Sequence, residues 1–245
     1  MTFPGWTPWL AAVVLSVAAF VRSAFGFGEA LVAVPLLALV IPVRVAAPLA
    51  VLLSITIAAL IVLQDWRHVH FRSAVVLFLA TVAGIPFGLL LLATAHASVV
   101  KAVLGCLIIA FSSCLLALRG RVVLMNDRLA GWFGFGAGIL GGAYGMNGPP
   151  LVMYGTLRRW SPRHFRATLQ GYFLPASSVV MGGYWAAGLW TATVTHLYWI
   201  ALPGALLATL LGRFANRRMH GHAFIRYVHV GLIVVGAVLL VQALA

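Results

Sequence analysis

Apolar runs long enough to cross a bilayer recur from one end of this chain to the other, and no other property constrains its fold as much. They occupy 8–41, 46–64, 74–93, 98–118, 129–157, 167–189, 193–211 and 227–244. A helix of about 18 residues or more spans the ~30 Å hydrocarbon layer. With 63% hydrophobic and only 8% charged residues, the chain cannot cover a soluble surface with polar groups. Lipid is the solvent for most of it, and the expected class is an all-α polytopic membrane protein.

Two of these runs depart from the simple pattern. Run 8–41 is too long for one crossing and run 129–157 too short for two, and each is interrupted near its centre, by "GFGE" and by "GMNGPP". Each reads as two short helices joined by a non-helical turn at membrane depth. Such backbone survives only where it lines a cavity or is buried in protein. The two stretches also match one another. Placing "FGFGEALVAVP" (25–35) over "YGMNGPPLVMY" (144–154) aligns aromatic, glycine and apolar residues at an offset of 119. Pro42 then falls near Pro162, and "GIPFGLLL" (84–91) near "ALPGALLA" (201–208). Matches in the same order imply an internal duplication. The expected organisation is two repeats, 1–118 and 119–245. Each is a broken-helix hairpin (8–41 or 129–157) followed by three transmembrane helices (46–64, 74–93 and 98–118, or 167–189, 193–211 and 227–244).

Charge orients the repeats. Of sixteen basic residues, thirteen sit in four gaps: Arg67 and Arg72; Arg119, Arg121 and Arg128; Arg158, Arg159, Arg163 and Arg166; Arg213, Arg217, Arg218 and Arg226. A nucleic-acid face would instead cluster Lys and Arg among polar residues on a soluble fold, so the net charge of +13 does not imply such a partner. Basic gaps belong in the cytoplasm, which leaves Arg44 and Lys101 outside and Arg22 within the membrane. Both termini are then outside. The stretch "MTFPGWTPW" lacks the basic leader of a signal peptide, so no cleavage is expected. On this map 46–64 runs inward and 167–189 outward, so the repeats are inverted and their hairpins enter from opposite faces. Trp6, Trp9, Trp66, Trp132, Trp160, Trp185 and Trp190 fall near segment ends, where an indole can be half wet.

Inverted repeats with broken helices are the architecture of secondary transporters, which hold substrate at half-helix ends. The start of a half-helix has unpaired N–H groups and a positive dipole end, which suit an anion. In the second hairpin Asn147 can cap, Gly148 lets a ligand approach the backbone, and Pro149 and Pro150 suit a helix start. The first hairpin offers Gly26 and Gly28. These glycines also fit close helix packing, as do Gly134, Gly138 and Gly142. Arg22 at a helix centre costs roughly 2.5–3.5 kcal/mol on insertion, so it calls for a partner or a wet cavity and is the candidate fixed positive charge, with snorkelling towards an interface as the alternative. Glu29 has three readings: a partner for Arg22, a proton acceptor for coupling, or a structural acid. Gln170, near Ser177 and Ser178, fits hydrogen bonding to a polar ligand or to another helix.

Other chemistry is not expected. Cys106 and Cys114 lie about 12 Å apart in helix rise, too far for a disulfide. No Cys or His spacing reads as a metal site and no cofactor is implied. There is no G-x-S-x-G or H-E-x-x-H, and the carboxylates are Glu29, Asp65 and Asp127, the last two at segment ends, which argues against an intramembrane enzyme. A passive anion channel is the alternative class.

The motifs "GFGEALVAVPLL" and "GMNGPPLVMYG", each followed by an apolar run with a Pro-Gly-type turn ("IPFG", "LPGALL"), resemble the sulfite exporter TauE/SafE family of membrane permeases over nearly the whole chain. The resemblance implies transport of small sulfur anions such as sulfite, sulfonates or sulfoacetate across a bacterial plasma membrane, by uptake or export. Glu29 departs from the run of glycines that members of the family often show there.

Overall fold

In lipid a backbone that satisfies its own hydrogen bonds must be helical or a closed barrel. The computed structural model describes residues 4–65, 71–117, 129–158, 162–218 and 222–244, and every element among them is a helix. In chain order these are α1 (Thr7–Phe25), α2 (Glu29–Ala38), α3 (Val43–Asp65), α4 (Phe71–Thr94), α5 (Ala97–Ala117), α6 (Ala130–Tyr144), α7 (Gly148–Leu157), α8 (Pro162–Ala186), α9 (Ala192–Arg218) and α10 (His222–Leu244). Among the described residues, five stretches, Thr7–Phe25, Val43–Ile61, Val75–Thr94, Ala97–Cys114 and Ala192–Ala215, are long and apolar enough to cross a membrane.

The two interrupted runs are helix pairs. α1 ends on Gly26 at φ 87° and α6 on Gly145 at φ 67°, left-handed conformations that a Cβ would strain. Gly26 and Gly145 stand at the 119-residue offset, and so do the residues that open the return helices, Gly28 and Asn147. After each turn the chain folds back, α2 against α1 and α7 against α6. The turns stop short of the ends of the helices beside them, since Ala143 is level with Gly88 of α4, which runs on to Thr94, and Ser23 with Thr209 of α9, which runs on to Arg218.

Small residues set the packing. α6 lies parallel to α4, where a Cβ on Gly138 would fall 2.1 Å from the Thr81 carbonyl oxygen and one on Gly88 2.0 Å from that of Ile139. Gly134 and Gly142 meet α4 in the same way, so the glycine stripe of α6 is a packing surface. α1 lies parallel to α9: Ser16 faces Gly204, Phe20 faces Gly212, and the Ser23 hydroxyl donates to the Thr209 carbonyl at 2.6 Å. α5 and α10 run antiparallel, with Gly105 against Gly236 and Lys101 Nζ donating to Gln242 Oε1 at 3.1 Å. The closest packing partners of α1 and α6 thus lie in the other half of the chain. Arg44, at the start of α3, donates to the carbonyls of Leu92 and Ala93 at 2.9 and 2.8 Å, and so caps the C-terminal end of α4.

One expectation is corrected. The Pro-Gly stretches "IPFG" and "LPGALL" are not turns, because Pro86 lies inside α4 and Pro203 inside α9. A membrane helix tolerates an internal proline when its neighbours cover the freed backbone, and Gly88 and Gly204 serve close contact with α6 and α1 instead. Trp66, Arg67, His68, His70, Arg119, Arg121, Asp127, Arg128, Arg159, Trp160 and His220 lie outside the described residues, as do the side chains of Asp65, Arg72, Arg163, His164, Arg166, Gln170, Arg217, Arg218, His222 and Arg226. Trp6, Trp9, Trp132, Trp185 and Trp190 are exposed.

Candidate functional site

Both hairpin turns open onto one small cavity. Its lining is Phe27, Gly28, Glu29, Ala30 and Leu31 from the first hairpin, Met146, Asn147, Gly148 and Pro149 from the second, Phe111 of α5 and Phe173 of α8. The volume is about 10 Å³, room for roughly one water. Larger guests need the turns to separate.

The start of α2 is aimed at this space. Its first ladder bond runs from Val32 N–H to Gly28 O, so the amides of Glu29, Ala30 and Leu31 precede the ladder, and all three residues line the cavity. α7 contributes the amide of Gly148 alone at its start, because Pro149 and Pro150 have none. Gly148 packs against Phe173, and a Cβ there would stand 3.5 Å from the ring, an ordinary van der Waals contact.

Asn147 does not cap α7. Its backbone is helical (φ −77°, ψ −10°), which turns the side chain away from the following amides, and it forms no cap hydrogen bond. The side chain is 4% exposed, borders the cavity, and has no hydrogen bond with another described residue. A buried amide in that condition has hydrogen-bonding capacity that a polar guest could use.

Behind the cavity wall lies a charged network. Arg22 is fully buried, and its Nη1 donates to Glu29 Oε1 in an ion pair and to Ser54 Oγ at 2.8 Å. The left-handed glycines of the turn bring together residues that a straight helix would hold about 10 Å apart. Ser54 Oγ donates to Glu29 Oε1 at 2.7 Å. Its single hydrogen being used there, the 3.2 Å contact with Ser177 is donated by Ser177. The guanidinium also lies over the Phe173 ring, 4.9 Å from Arg22 Cζ to its centroid.

Of the residues singled out in the sequence, Gly28, Glu29, Asn147, Gly148 and Pro149 border the cavity, Gly26 shapes the turn, and Arg22 lies one layer behind. Gln170 falls on α8, with its side chain outside the described residues. Ser178 is exposed and bonds to the Leu174 carbonyl of its own helix. Met146 lies in the turn "GMNGPP" that the sequence already marked, whereas Phe111 and Phe173 were not legible there, since two phenylalanines in apolar helices resemble many others. Ser54 carried only a weak signal, a hydroxyl in the helix after the first hairpin.

The family model described as Sulfite exporter TauE/SafE matches residues 10–240. No curated protein and no solved structure matches the chain.

Proposed function

The chain belongs to the sulfite exporter TauE/SafE family, membrane transporters for sulfite and related sulfur anions, and on that premise we propose that it is a secondary carrier binding one small sulfur oxyanion or organosulfonate between its two broken-helix turns. The observation that carries this reading is the convergence of both turns on one cavity bordered by the first amides of α2 and by the Asn147 side chain. An oxyanion accepts hydrogen bonds from all of these groups, and the positive end of the α2 dipole favours its charge. Arg22, Gly26, Gly28, Glu29, Asn147, Gly148, Pro149 and Gln170 are the proposed site.

The exchange of packing partners, α1 on α9 and α6 on α4, supports an inverted duplication, as does the antiparallel pairing of α5 with α10. Two interleaved halves around one site are the architecture of alternating access. A cavity of about 10 Å³ fits a carrier that closes around its cargo better than a permanently open pore.

Purified protein in liposomes tests the proposal with sulfite, thiosulfate, sulfoacetate and benzenesulfonate. A saturable flux with counterflow is expected for at least one of them. Flux that rises linearly with concentration and shows no counterflow supports the anion-channel alternative, and no flux of any of the four overturns both.

A further inference from the structure

Glu29 stands between Arg22 and the space an anion would enter. Its carboxylate holds the guanidinium and the residue borders the cavity, while Phe173, over whose ring the guanidinium lies, borders the same cavity. An anion that takes Arg22 as its counter-charge must therefore displace Glu29. Resting on the anion-site reading above, we propose that Glu29 is a resident anion, exchanged on Arg22 for the transported one, and that one proton accompanies each anion because the displaced carboxylate is carried as the neutral acid.

The surroundings of Glu29 give the reason. Its described partners are Arg22 from α1 and Ser54 from α3. α5 presents Phe111, α8 presents Phe173 with Ser177 behind Ser54, and the turn before α7 presents Asn147 across the cavity. α10 also packs on α2, and its described buried side chains are Leu232 and Leu239. Among the described residues Arg22 is thus the charged group facing Glu29. Removed from Arg22, an ionised carboxylate would be left without a cation in a buried, largely apolar pocket, and in the proposed exchange a proton takes the cation's place. The charge also balances. Arg22 with ionised Glu29 is neutral, and Arg22 with a monoanion and protonated Glu29 is neutral again. The proton comes from the compartment that supplies the anion and leaves with it. At the matching positions in the second hairpin stand Gly141 and Gly148, so the exchange belongs to the first hairpin.

The test uses full-length protein in liposomes with an internal pH dye and a potential clamped by potassium and valinomycin. The probes are the four panel anions, and the reading is protons delivered beyond those the anion itself carries. Benzenesulfonate has one fixed charge, and its wild-type flux is expected to bring one proton per anion and to ignore the clamped potential. Thiosulfate, with two fixed charges, is expected to bring one proton and one net negative charge. Glu29→Gln is expected to carry anions with no proton, to become potential-driven for benzenesulfonate, and to bind it roughly tenfold more tightly, since a carboxylate no longer competes for Arg22. If Glu29→Gln fails to fold, the wild type still decides: detergent-purified protein mixed with a panel anion in weak buffer takes up about one proton per anion bound. Flux or binding with no proton uptake, or equal coupling in Glu29→Gln, overturns the exchange while leaving the carrier reading intact. Absence of flux for all four anions overturns the carrier reading, and this one with it.

Discussion

At the scale of single residues, the two hairpins contribute in different ways. Asn147 gives up no described hydrogen bond when it is truncated, so its loss falls on the ligand. Asn147→Ala is expected to raise KM for the transported anion about tenfold while changing stability by less than about 1 kcal/mol. Flux kinetics and thermal unfolding of the same sample separate the two effects, and a large stability loss with unchanged KM would make Asn147 a structural residue. Arg22 behaves in the opposite sense, because it is fully buried against Glu29 and Ser54. Arg22→Gln leaves a buried carboxylate without its cation and is expected to cost roughly 3–5 kcal/mol at neutral pH. Adding Glu29→Gln should recover most of that stability and none of the transport. Thermal unfolding of the single and double variants checks the coupling, and simple additivity would show that the pair contributes independently.

At the scale of helices, association in lipid depends on how closely backbones approach, since apolar burial provides little drive there. α4 and α6 meet through Gly84, Gly88, Gly134, Gly138 and Gly142, each of which would place a Cβ within 2.5 Å of a facing carbonyl oxygen. Gly88→Ala and Gly138→Ala are expected to cost about 1–3 kcal/mol each by forcing the helices apart. Gly136, on the same helix, has nothing within 4 Å of an added Cβ. Gly136→Ala should be neutral or stabilising by up to about 1 kcal/mol through helix propensity alone. Unfolding in detergent distinguishes these variants, and equal losses at 136 and 138 would count against glycine packing as the cause. The stripe at 134, 138 and 142 was legible in the sequence as small-residue spacing, whereas its partner was not. That α6 chooses α4, and α1 chooses α9, follows from shape complementarity between segments far apart in the chain.

At the scale of the whole molecule, orientation rests on where the arginines fall. The proposed topology has both termini outside and the four basic gaps in the cytoplasm. In a background lacking Cys106 and Cys114, a cysteine at Thr94 should label from outside and one at His220 only from inside. The reverse pattern would overturn the topology. Arg44 at the start of α3 and Lys101 at the start of α5 lie at the end that also holds the C-termini of α4 and α10, as one shared face requires. What the sequence determined by itself was the inventory of elements: the apolar runs, the two breaks, and the glycines at the turns. Lipid makes these local properties, because each backbone segment must satisfy its own hydrogen bonds and so reveals its helices and interruptions within a few residues. Only the tertiary structure decided what the polar residues do. It joined Arg22 to Glu29 across the turn, brought Ser54 and Phe173 from two other helices to the same guanidinium, and turned Asn147 from a cap into a side chain bordering the cavity. Those contacts depend on which helices lie side by side, and packing between distant segments leaves no periodic trace in any one of them.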